Sequence, residues 1–141
     1  MRYSKLLTTV EVAILLTVGS LVTVANANSD ESVQTAGAVT YVSGGVGEGS
    51  LDRLRSLTGD FNLKLVFALK SGAYLSGVGV SIADAAGKTL LDTTSEGPWF
   101  LVSLPAGNYQ IVATSGGHAV KRQIAVGAAK LRTVDFRWAT E

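Results

Sequence analysis

Cysteine is absent from the 141 residues of this chain, and histidine occurs once, as His118. Without cysteine the chain can form neither a disulfide nor a thiolate metal site, so a secreted form must depend on its core for stability. One histidine and no cysteine also exclude the common types of zinc site. A Ser-His-Asp site would have to be built on His118, and no G-x-S-x-G element is present to expose a serine. The sequence therefore predicts a protein that is not an enzyme, with no catalytic residues, no cofactor and no metal ion.

The chain also lacks an excess of charge of one sign. Its formal net charge is +1, and removal of the leader described below would leave ten basic and ten acidic residues. Nucleic-acid binding needs clustered cations that displace condensed counterions, and the sequence has no basic patch. Residues 43–49 contain alternating glycines but match neither of the common phosphate-binding motifs. We therefore expect neither nucleic-acid nor nucleotide binding.

The first 27 residues have the three parts of a secretory signal peptide. Arg2 and Lys5 form a positive amino-terminal region, an apolar run covers residues 12–24, and an Ala-Asn-Ala cleavage site ends at Ala27. The sequence therefore predicts cleavage after Ala27 and a periplasmic or secreted protein that is not stably inserted in a membrane.

Two alternatives remain open for this leader. It could be kept as an uncleaved anchor, although the apolar run is shorter than the ~20 residues of a membrane-spanning helix. It could also be a pilin-type leader because Glu11 interrupts the apolar segment, but the glycine expected before such a mature terminus is missing. A lipid-anchored form would need a cysteine, which the chain lacks.

Residues 28–59 are expected to form a flexible lead that contains one short helix. Residues 28–38 are small and polar and have little to bury. A short strand is compatible with residues 39–42. Ser50 can cap a helix that continues to about Leu57, where the following Thr-Gly pair ends it.

From Asp60 onward the sequence changes to short runs of alternating apolar residues. The strongest run covers residues 60–70, in which one face carries only large apolar side chains, namely Phe61, Leu63, Leu65, Phe67 and Leu69. Six further runs are separated by turns rich in glycine or proline and cover about residues 78–83, 88–93, 99–104, 109–114, 118–126 and 130–138. Seven strands about 8 to 12 residues apart, without intervening helices, indicate an all-β antiparallel sandwich over residues 60–138.

Residues 97–109 should contain the end of one connection, a strand, a tight turn and the start of the next strand. The Gly-Pro pair at 97–98 ends what precedes it, because proline fixes φ and cannot donate to a sheet ladder. Residues 105–108, Pro-Ala-Gly-Asn, favour a reversal of the chain. We expect Leu104, Tyr109 and Ile111 to be buried and the turn between them to be exposed.

Four aromatic residues are the candidate contact residues, Trp99, Phe100, Tyr74 and Trp138. Aromatic side chains at the ends or edges of a sandwich commonly make contacts with ligands or partners. Trp99 and Phe100 are adjacent, so in a regular strand they point to opposite faces and at least one lies outside the sandwich interior. Exposed tryptophans would favour glycan binding, whereas buried ones would favour a structural role.

Three segments resemble the carboxypeptidase regulatory-like domain family. They are residues 78–87 (VGVSIADAAG), residues 96–98 (EGP) and residues 104–113 (LPAGNYQIVA), of which the Leu-Pro-x-Gly-x-Tyr-x-Ile element is the most specific. The resemblance covers about residues 60–138 and implies a transthyretin-like or Ig-like sandwich. Members of this family are mostly non-catalytic modules of larger proteins, and this chain is similar to the small stand-alone secreted members of Gram-negative bacteria.

The resemblance implies a fold more strongly than a function. Transthyretin-like hydrolases need a histidine pair, an arginine and a carboxyl-terminal Tyr-Arg-Gly-Ser motif, whereas this chain has one histidine and ends in Ala-Thr-Glu. Similar Ig-like sandwiches can join their first and last strands by an isopeptide bond. Lys64 and Asp135 occupy suitable strands for such a bond, although the simplest expectation is that Lys64 points to solvent.

We therefore expect a non-enzymatic periplasmic binding or interaction module whose partner is an envelope protein or a glycan. The first alternative is a carbohydrate-binding or accessory subunit of an envelope system. The second is a small transthyretin-like hydrolase. A further expectation is pairing of an open sheet edge with a partner or with another copy, since a small sandwich has two open sheets.

Overall fold

The computed structural model describes residues 32–128 and 130–140. The signal-peptide prediction and its cleavage site after Ala27 lie outside these residues. The described strands are β1 (Gln34–Ala36), β2 (Val39–Gly44), β3 (Leu63–Leu69), β4 (Gly79–Asp84), β5 (Thr89–Thr94), β6 (Trp99–Ser103), β7 (Gly107–Ser115), β8 (His118–Val126) and β9 (Arg132–Trp138). Helix α1 spans Glu48–Leu57, and a single 3₁₀ turn, Thr58–Asp60, follows it. Neither helical segment in this part of the chain has the length and apolar character needed to span a bilayer.

The strands form two sheets that pack face to face. The five-stranded sheet has the order β1-β2-β6-β3-β9, and the four-stranded sheet has the order β5-β4-β7-β8. This arrangement confirms the all-β sandwich predicted from the spacing of the strands, seven of which follow Asp60. Neighbouring strands are antiparallel except β3 and β9, which run parallel from Leu63 opposite Arg132 to Leu69 opposite Trp138.

The main core lies between the two sheets, where alternate residues of each strand point inward. Phe67, Phe136 and Trp138 form an aromatic group in it, with ring centroids 5.8 to 6.4 Å apart. The predicted exposure of residues 105–108 and burial of Leu104, Tyr109 and Ile111 are confirmed. The turn is shorter than predicted, because β7 begins at Gly107 and residues 107–108 pair with β8.

A second, smaller cluster lies on the outer face of the five-stranded sheet beneath α1. Leu54 of α1 is fully buried and packs with Val42 of β2, Leu101 of β6 and Phe61. Phe61 therefore does not continue the inward-facing row that begins with Leu63, because β3 begins only at Leu63 and strand alternation does not hold before it. Helix α1 covers this part of the sheet as a third layer.

The sandwich begins earlier in the chain than the boundary expected at Asp60. Strand β2 pairs antiparallel with β6, from Thr40 opposite Ser103 to Gly44 opposite Trp99, and β1 pairs with β2. Residues 34–44 therefore belong to the five-stranded sheet and are not part of a flexible lead. The side chains of β1 are mostly exposed, and its position depends on backbone pairing, which an apolar sequence pattern does not record.

Helix α1 begins at Glu48, two residues before the expected cap at Ser50. Gly47 is the N-cap residue, with φ of 89°, and no side chain caps the helix. The Ser50 hydroxyl instead accepts a hydrogen bond from the Gly45 N–H at 2.7 Å, which holds the loop before the helix. The helix ends at Leu57, as the sequence predicts.

The β6–β7 turn, residues 104–106, connects strands of different sheets, so it is a crossover and not a hairpin. The Tyr109 hydroxyl donates to the Pro105 carbonyl, an arrangement similar to the tyrosine corner of other β-sandwiches. The Asn62 side chain joins the same place: its amide donates to the Leu104 and Gly127 carbonyls at 2.7 and 2.9 Å, and its oxygen accepts from the Leu104 N–H at 3.0 Å.

The two open sides of the sandwich differ in whether side chains bridge their edge strands. On one side, side chains connect the edge strands β8 and β9: Trp138 Nε1 donates to the His118 carbonyl and Arg132 Nη1 to the Ala125 carbonyl, both at 2.9 Å. Arg122 of β8 donates to a β9 carbonyl at 3.2 Å. These donors occupy edge carbonyls that another strand would otherwise use for pairing. On the other side, the edge strands β1 and β5 border a groove.

Candidate functional site

Two grooves lie beside each other where the end of β2 meets the β5–β6 connection. The backbones touch there, because a β-carbon on Gly97 would overlap the carbonyl of Gly44. The Ser43 hydroxyl accepts a hydrogen bond from the Glu96 N–H at 2.8 Å, and the buried Ser95 hydroxyl donates to the Gly97 carbonyl. Neighbouring residues of these two segments line the grooves on either side of the contact, and the contact separates the grooves.

The polar groove lies on the open side of the sandwich between β1 and β5 and has a volume of about 380 Å³. Hydroxyl groups dominate its lining, together with one amide and one carboxylate, and its residues are Ser32, Gln34, Tyr41, Ser43, Thr93, Thr94 and Glu96. The Tyr41 ring stacks on the fully buried Phe100 ring, with centroids 5.5 Å apart and an interplanar angle of 12°. This contact holds Tyr41 in a defined orientation.

The apolar groove lies on the other side of the Gly44–Gly97 contact and has a volume of about 480 Å³. Val46, Leu51, Tyr74 and Pro98 supply its apolar surface, and its remaining lining residues are Gly45, Gly47, Glu48 and Ser76. In the described part of the chain, three large apolar side chains are exposed, and two of them, Val46 (68%) and Tyr74 (63%), line this groove.

Backbone pairing holds Tyr74 in place. Tyr74 forms a β-bridge with Ala68 of β3, and its neighbours are bonded on both sides, Leu69 N–H to the Ala73 carbonyl at 2.7 Å and Leu75 N–H to the Phe67 carbonyl at 3.1 Å. Its ring is therefore exposed on a fixed backbone and not on a free loop, which reduces the entropy that binding would cost.

Trp99 and Phe100 point to opposite faces of β6, as the sequence predicts for adjacent strand residues. Phe100 is fully buried in the main core, whereas Trp99 is half-buried beside α1. Lys64 Nζ lies 3.3 Å from the centroid of the Trp99 ring, and the guanidinium carbon of Arg55 lies 5.8 Å from it. The ring is therefore occupied by cations of this chain.

Lys64 does not simply extend into solvent, as expected from the sequence, because its ammonium packs on Trp99. Burial and the nearby Arg55 guanidinium lower the pKa of Lys64, while the Asp135 carboxylate opposes this by favouring the charged form. Lys64 lies opposite Thr133 on the parallel strand β9, two residues before Asp135. The isopeptide bond between Lys64 and Asp135 stays a prediction.

The four candidate aromatic residues do not form one site. Trp138 is only 4% exposed and belongs to the main core with Phe100, so neither offers a ring surface to a ligand. Trp99 lies behind the apolar groove, since a β-carbon on Gly45 would contact both its ring and Pro98 at 3.4 to 3.5 Å. Tyr74 is the candidate that the structure leaves open to solvent.

His118 and Asp84 lie at separate turns of the four-stranded sheet. His118 is exposed at the start of β8, and the Asp84 carboxylate accepts hydrogen bonds from the Ala86 and Lys88 N–H groups at 3.0 and 2.9 Å in the β4–β5 turn. In residues 32–128 and 130–140, no three histidine, aspartate or glutamate side chains are grouped so as to hold a metal ion.

The sequence did not indicate the polar groove or the contributions of Val46 and Pro98 to the apolar groove. Tyr41 and Glu96 come from segments more than fifty residues apart, and each by itself has the pattern of an ordinary strand or turn residue. A groove that forms between two sheet edges has no local signal, because its lining depends on how the sheets pack.

No family model matches the chain, and no curated protein matches it. The resemblance to the carboxypeptidase regulatory-like domain family therefore depends on the sequence segments described above.

Proposed function

We propose that this chain is a non-enzymatic binding module of the bacterial envelope, periplasmic or secreted, that holds a partner protein in the apolar groove. One observation carries the proposal: Val46 and Tyr74, two of the exposed large apolar side chains in the described residues, line the same groove. Scattered exposed apolar residues are ordinary on a protein surface, whereas grouped ones are typical of interaction sites.

The chemistry of the lining favours an apolar peptide segment as the occupant. Tyr74 supplies an exposed aromatic ring, Pro98 is a buried lining residue, and Glu48 is the charged residue among those that line the groove. An apolar segment that carries one basic residue would place its apolar side chains against Tyr74 and Val46 and its charge near Glu48. The partner is therefore a protein with such a segment exposed.

The position of His118 supports a role without catalysis. A general acid–base site needs a group that titrates near neutral pH beside the bound substrate. His118 begins β8, in the four-stranded sheet, and its carbonyl is used by Trp138, whereas neither groove has a histidine in its lining. Acid–base catalysis at either groove would therefore need a group other than histidine.

The tryptophans favour packing over glycan binding through their rings. Trp138 is in the core, and the Trp99 ring carries the Lys64 ammonium. A sugar would have to displace this cation before it could stack on Trp99. The exposed tyrosine in the apolar groove is thus the better supported contact.

Capture of the partner from envelope extracts, with variants of the groove, tests this proposal. We expect the tagged wild-type protein to retain one envelope protein, identified by mass spectrometry, and the Val46→Ser/Tyr74→Ser double variant to retain at least tenfold less. Val33→Ser is the matched control, because Val33 is 47% exposed and does not line the groove.

The control should retain as much partner as the wild type. Equal retention by the double variant, with its circular dichroism unchanged, would show that the apolar groove is not the binding surface.

A further inference from the structure

The polar groove has the chemistry of a binding site that is separate from the apolar groove. Its hydroxyls and its one amide both donate and accept hydrogen bonds, and these residues come from both sheets. Its volume of about 380 Å³ lies within the usual range of about 300 to 1,000 Å³ for small-molecule sites. Unlike most such sites, its lining is mainly polar.

Fixed backbone positions preorganise this lining. Tyr41 belongs to β2, paired with Val102 of β6, and its ring stacks on Phe100. The Ser43 hydroxyl oxygen accepts from the Glu96 N–H, which leaves the proton of that hydroxyl to be donated elsewhere. Thr93 is placed by its pairing with Val80 of β4. Five of the seven lining residues therefore lie on strands, and Glu96 of the β5–β6 connection is held against β2 by its hydrogen bond to Ser43.

Glu96 provides the charge of this groove. The ion pairs between described residues join Arg55 with Asp52 and Arg137 with Asp135, so none of them neutralises Glu96. The Glu96 N–H donates to the Ser43 hydroxyl, and this hydrogen bond holds the Glu96 backbone beside the groove. An exposed carboxylate can accept hydrogen bonds from two neighbouring hydroxyls of a ligand, and it repels an anionic ligand.

We infer that the polar groove binds a saccharide unit that carries no negative charge. Adjacent ring hydroxyls of the sugar would donate to Glu96, while Thr93, Thr94 and Gln34 would exchange hydrogen bonds with the other hydroxyls. Tyr41 would supply the aromatic surface for the less polar face of the sugar ring, and its hydroxyl would make a further hydrogen bond to the sugar. This inference uses none of the residues of the apolar groove and does not depend on the proposed partner protein.

The experiment measures binding of three trisaccharides to the full chain by calorimetry: maltotriose, chitotriose in its N-acetylated form and trigalacturonate. We expect saturable binding of at least one uncharged trisaccharide and at least tenfold weaker binding of trigalacturonate. In nuclear magnetic resonance spectra, the shifted backbone amides should include those of Gln34, Tyr41 and Glu96. Shifts confined to the apolar groove would place the sugar elsewhere and overturn the inference.

Two nearly isosteric variants test the assigned contacts. Glu96→Gln removes the charge and should weaken binding of the uncharged sugar by about tenfold, since hydrogen bonds to charged groups are the stronger ones. Tyr41→Phe keeps the stack on Phe100 and should weaken binding by about threefold to tenfold. Asp92→Asn is the matched control, an exposed carboxylate of β5 that does not line the groove, and it should leave binding unchanged.

Three results would overturn the inference. The first is the absence of saturable binding by every trisaccharide. The second is unchanged affinity in both Glu96→Gln and Tyr41→Phe. The third is a dimer in sedimentation that buries β1 and β5, because the edges of the groove would then serve strand pairing with a second copy.

Discussion

One side chain, that of Asn62, fixes two of the connections in which the chain passes from one sheet to the other. Asn62 is buried and makes three hydrogen bonds there, to both backbone groups of Leu104 and to the Gly127 carbonyl. A buried amide is tolerated because its donors and acceptor are satisfied, and it then specifies one arrangement of the chain. The alternating pattern of the sequence indicates only that Asn62 lies on the less apolar face of its run.

Replacement of Asn62 by alanine should destabilise the protein strongly. The change leaves a buried N–H and carbonyl groups without partners, so we expect the free energy of unfolding to fall by about 3 kcal/mol. Urea denaturation measures this loss. Asn108→Ala, at the exposed start of β7, should change the same quantity by less than about 0.5 kcal/mol, and equal effects would contradict the structural role of Asn62.

Gly97 should not accept a side chain, because its backbone lies against Gly44. The Gly97→Ala variant must separate the β5–β6 connection from β2, and we expect it to lose about 2 to 4 kcal/mol of stability. Gly59→Ala is the matched control, since open space surrounds the position of its added β-carbon. Thermal unfolding of both variants decides the point, and a stable Gly97→Ala protein would show that the two backbones can separate at little cost.

Tyr109 should contribute to loss of stability at alkaline pH. Burial, and to a lesser extent the Asp84 carboxylate, raise the pKa of its hydroxyl above the ordinary value of 10.0. Because the folded state favours the neutral form, this contribution is complete below pH 10 and is lost as the pH rises through the folded pKa. Tyr109→Phe should lower stability by about 1 kcal/mol at pH 7, through loss of the bond to the Pro105 carbonyl.

The free energy of unfolding of Tyr109→Phe should also decline less than that of the wild type between pH 9 and pH 11, when both are measured by urea unfolding. Lys64, whose lowered pKa has the opposite effect in this range, is present in both proteins and cancels in the comparison. Parallel declines would show that the Tyr109 hydroxyl ionises equally in the folded and unfolded chains, so that folding does not raise its pKa.

At the scale of elements, helix α1 is attached mainly by one residue. Leu54 is its buried side chain, and it packs on β2 and β6 with Val42 and Leu101. The start of the helix has low intrinsic helix propensity, because Gly47 is the cap and Gly49 lies in the first turn. Helix α1 therefore depends on tertiary packing more than on its own propensity.

Replacing the two glycines at the start of α1 should have opposite effects. Gly49 lies within the helix with open space around it, so Gly49→Ala should raise the free energy of unfolding by about 0.5 to 1 kcal/mol. Gly47 has positive φ, so Gly47→Ala should lower it by about 1 kcal/mol. Chemical denaturation measures both, and a neutral Gly47→Ala would mean that the helix can begin at another residue.

At the scale of the whole molecule, the sandwich includes the segment before α1. Strand β2 pairs with β6 and contributes Val39 to the main core and Val42 to the cluster under α1. On the side of the sandwich formed by β8 and β9, side-chain hydrogen bonds between these two strands cover the open edges of both sheets. The described fold is therefore a unit of nine strands, of which the seven after Asp60 are only a part.

A chain shortened to begin at Asp60 should lose cooperative unfolding, because removal of β2 leaves the edge of β6 unpaired and removal of α1 uncovers Leu101. A chain that begins at Ser32 keeps every described strand and should unfold in one transition. Urea unfolding followed by far-UV and near-UV circular dichroism distinguishes them. A shortened chain that unfolds with equal sharpness would restore residues 60–138 as the independent unit.

The amino-acid sequence by itself determined the sandwich, its strands after Asp60, the exposed β6–β7 turn and the opposite directions of Trp99 and Phe100. These features follow from a side-chain period of two residues and from the φ preferences of proline and glycine, which are local properties. Tertiary structure alone decided that β1 and β2 join the sheet, that Lys64 covers Trp99, and that Tyr74 and Glu96 border two separate grooves. Those outcomes depend on which distant backbones meet, above all Gly44 and Gly97, and no local pattern encodes such a contact.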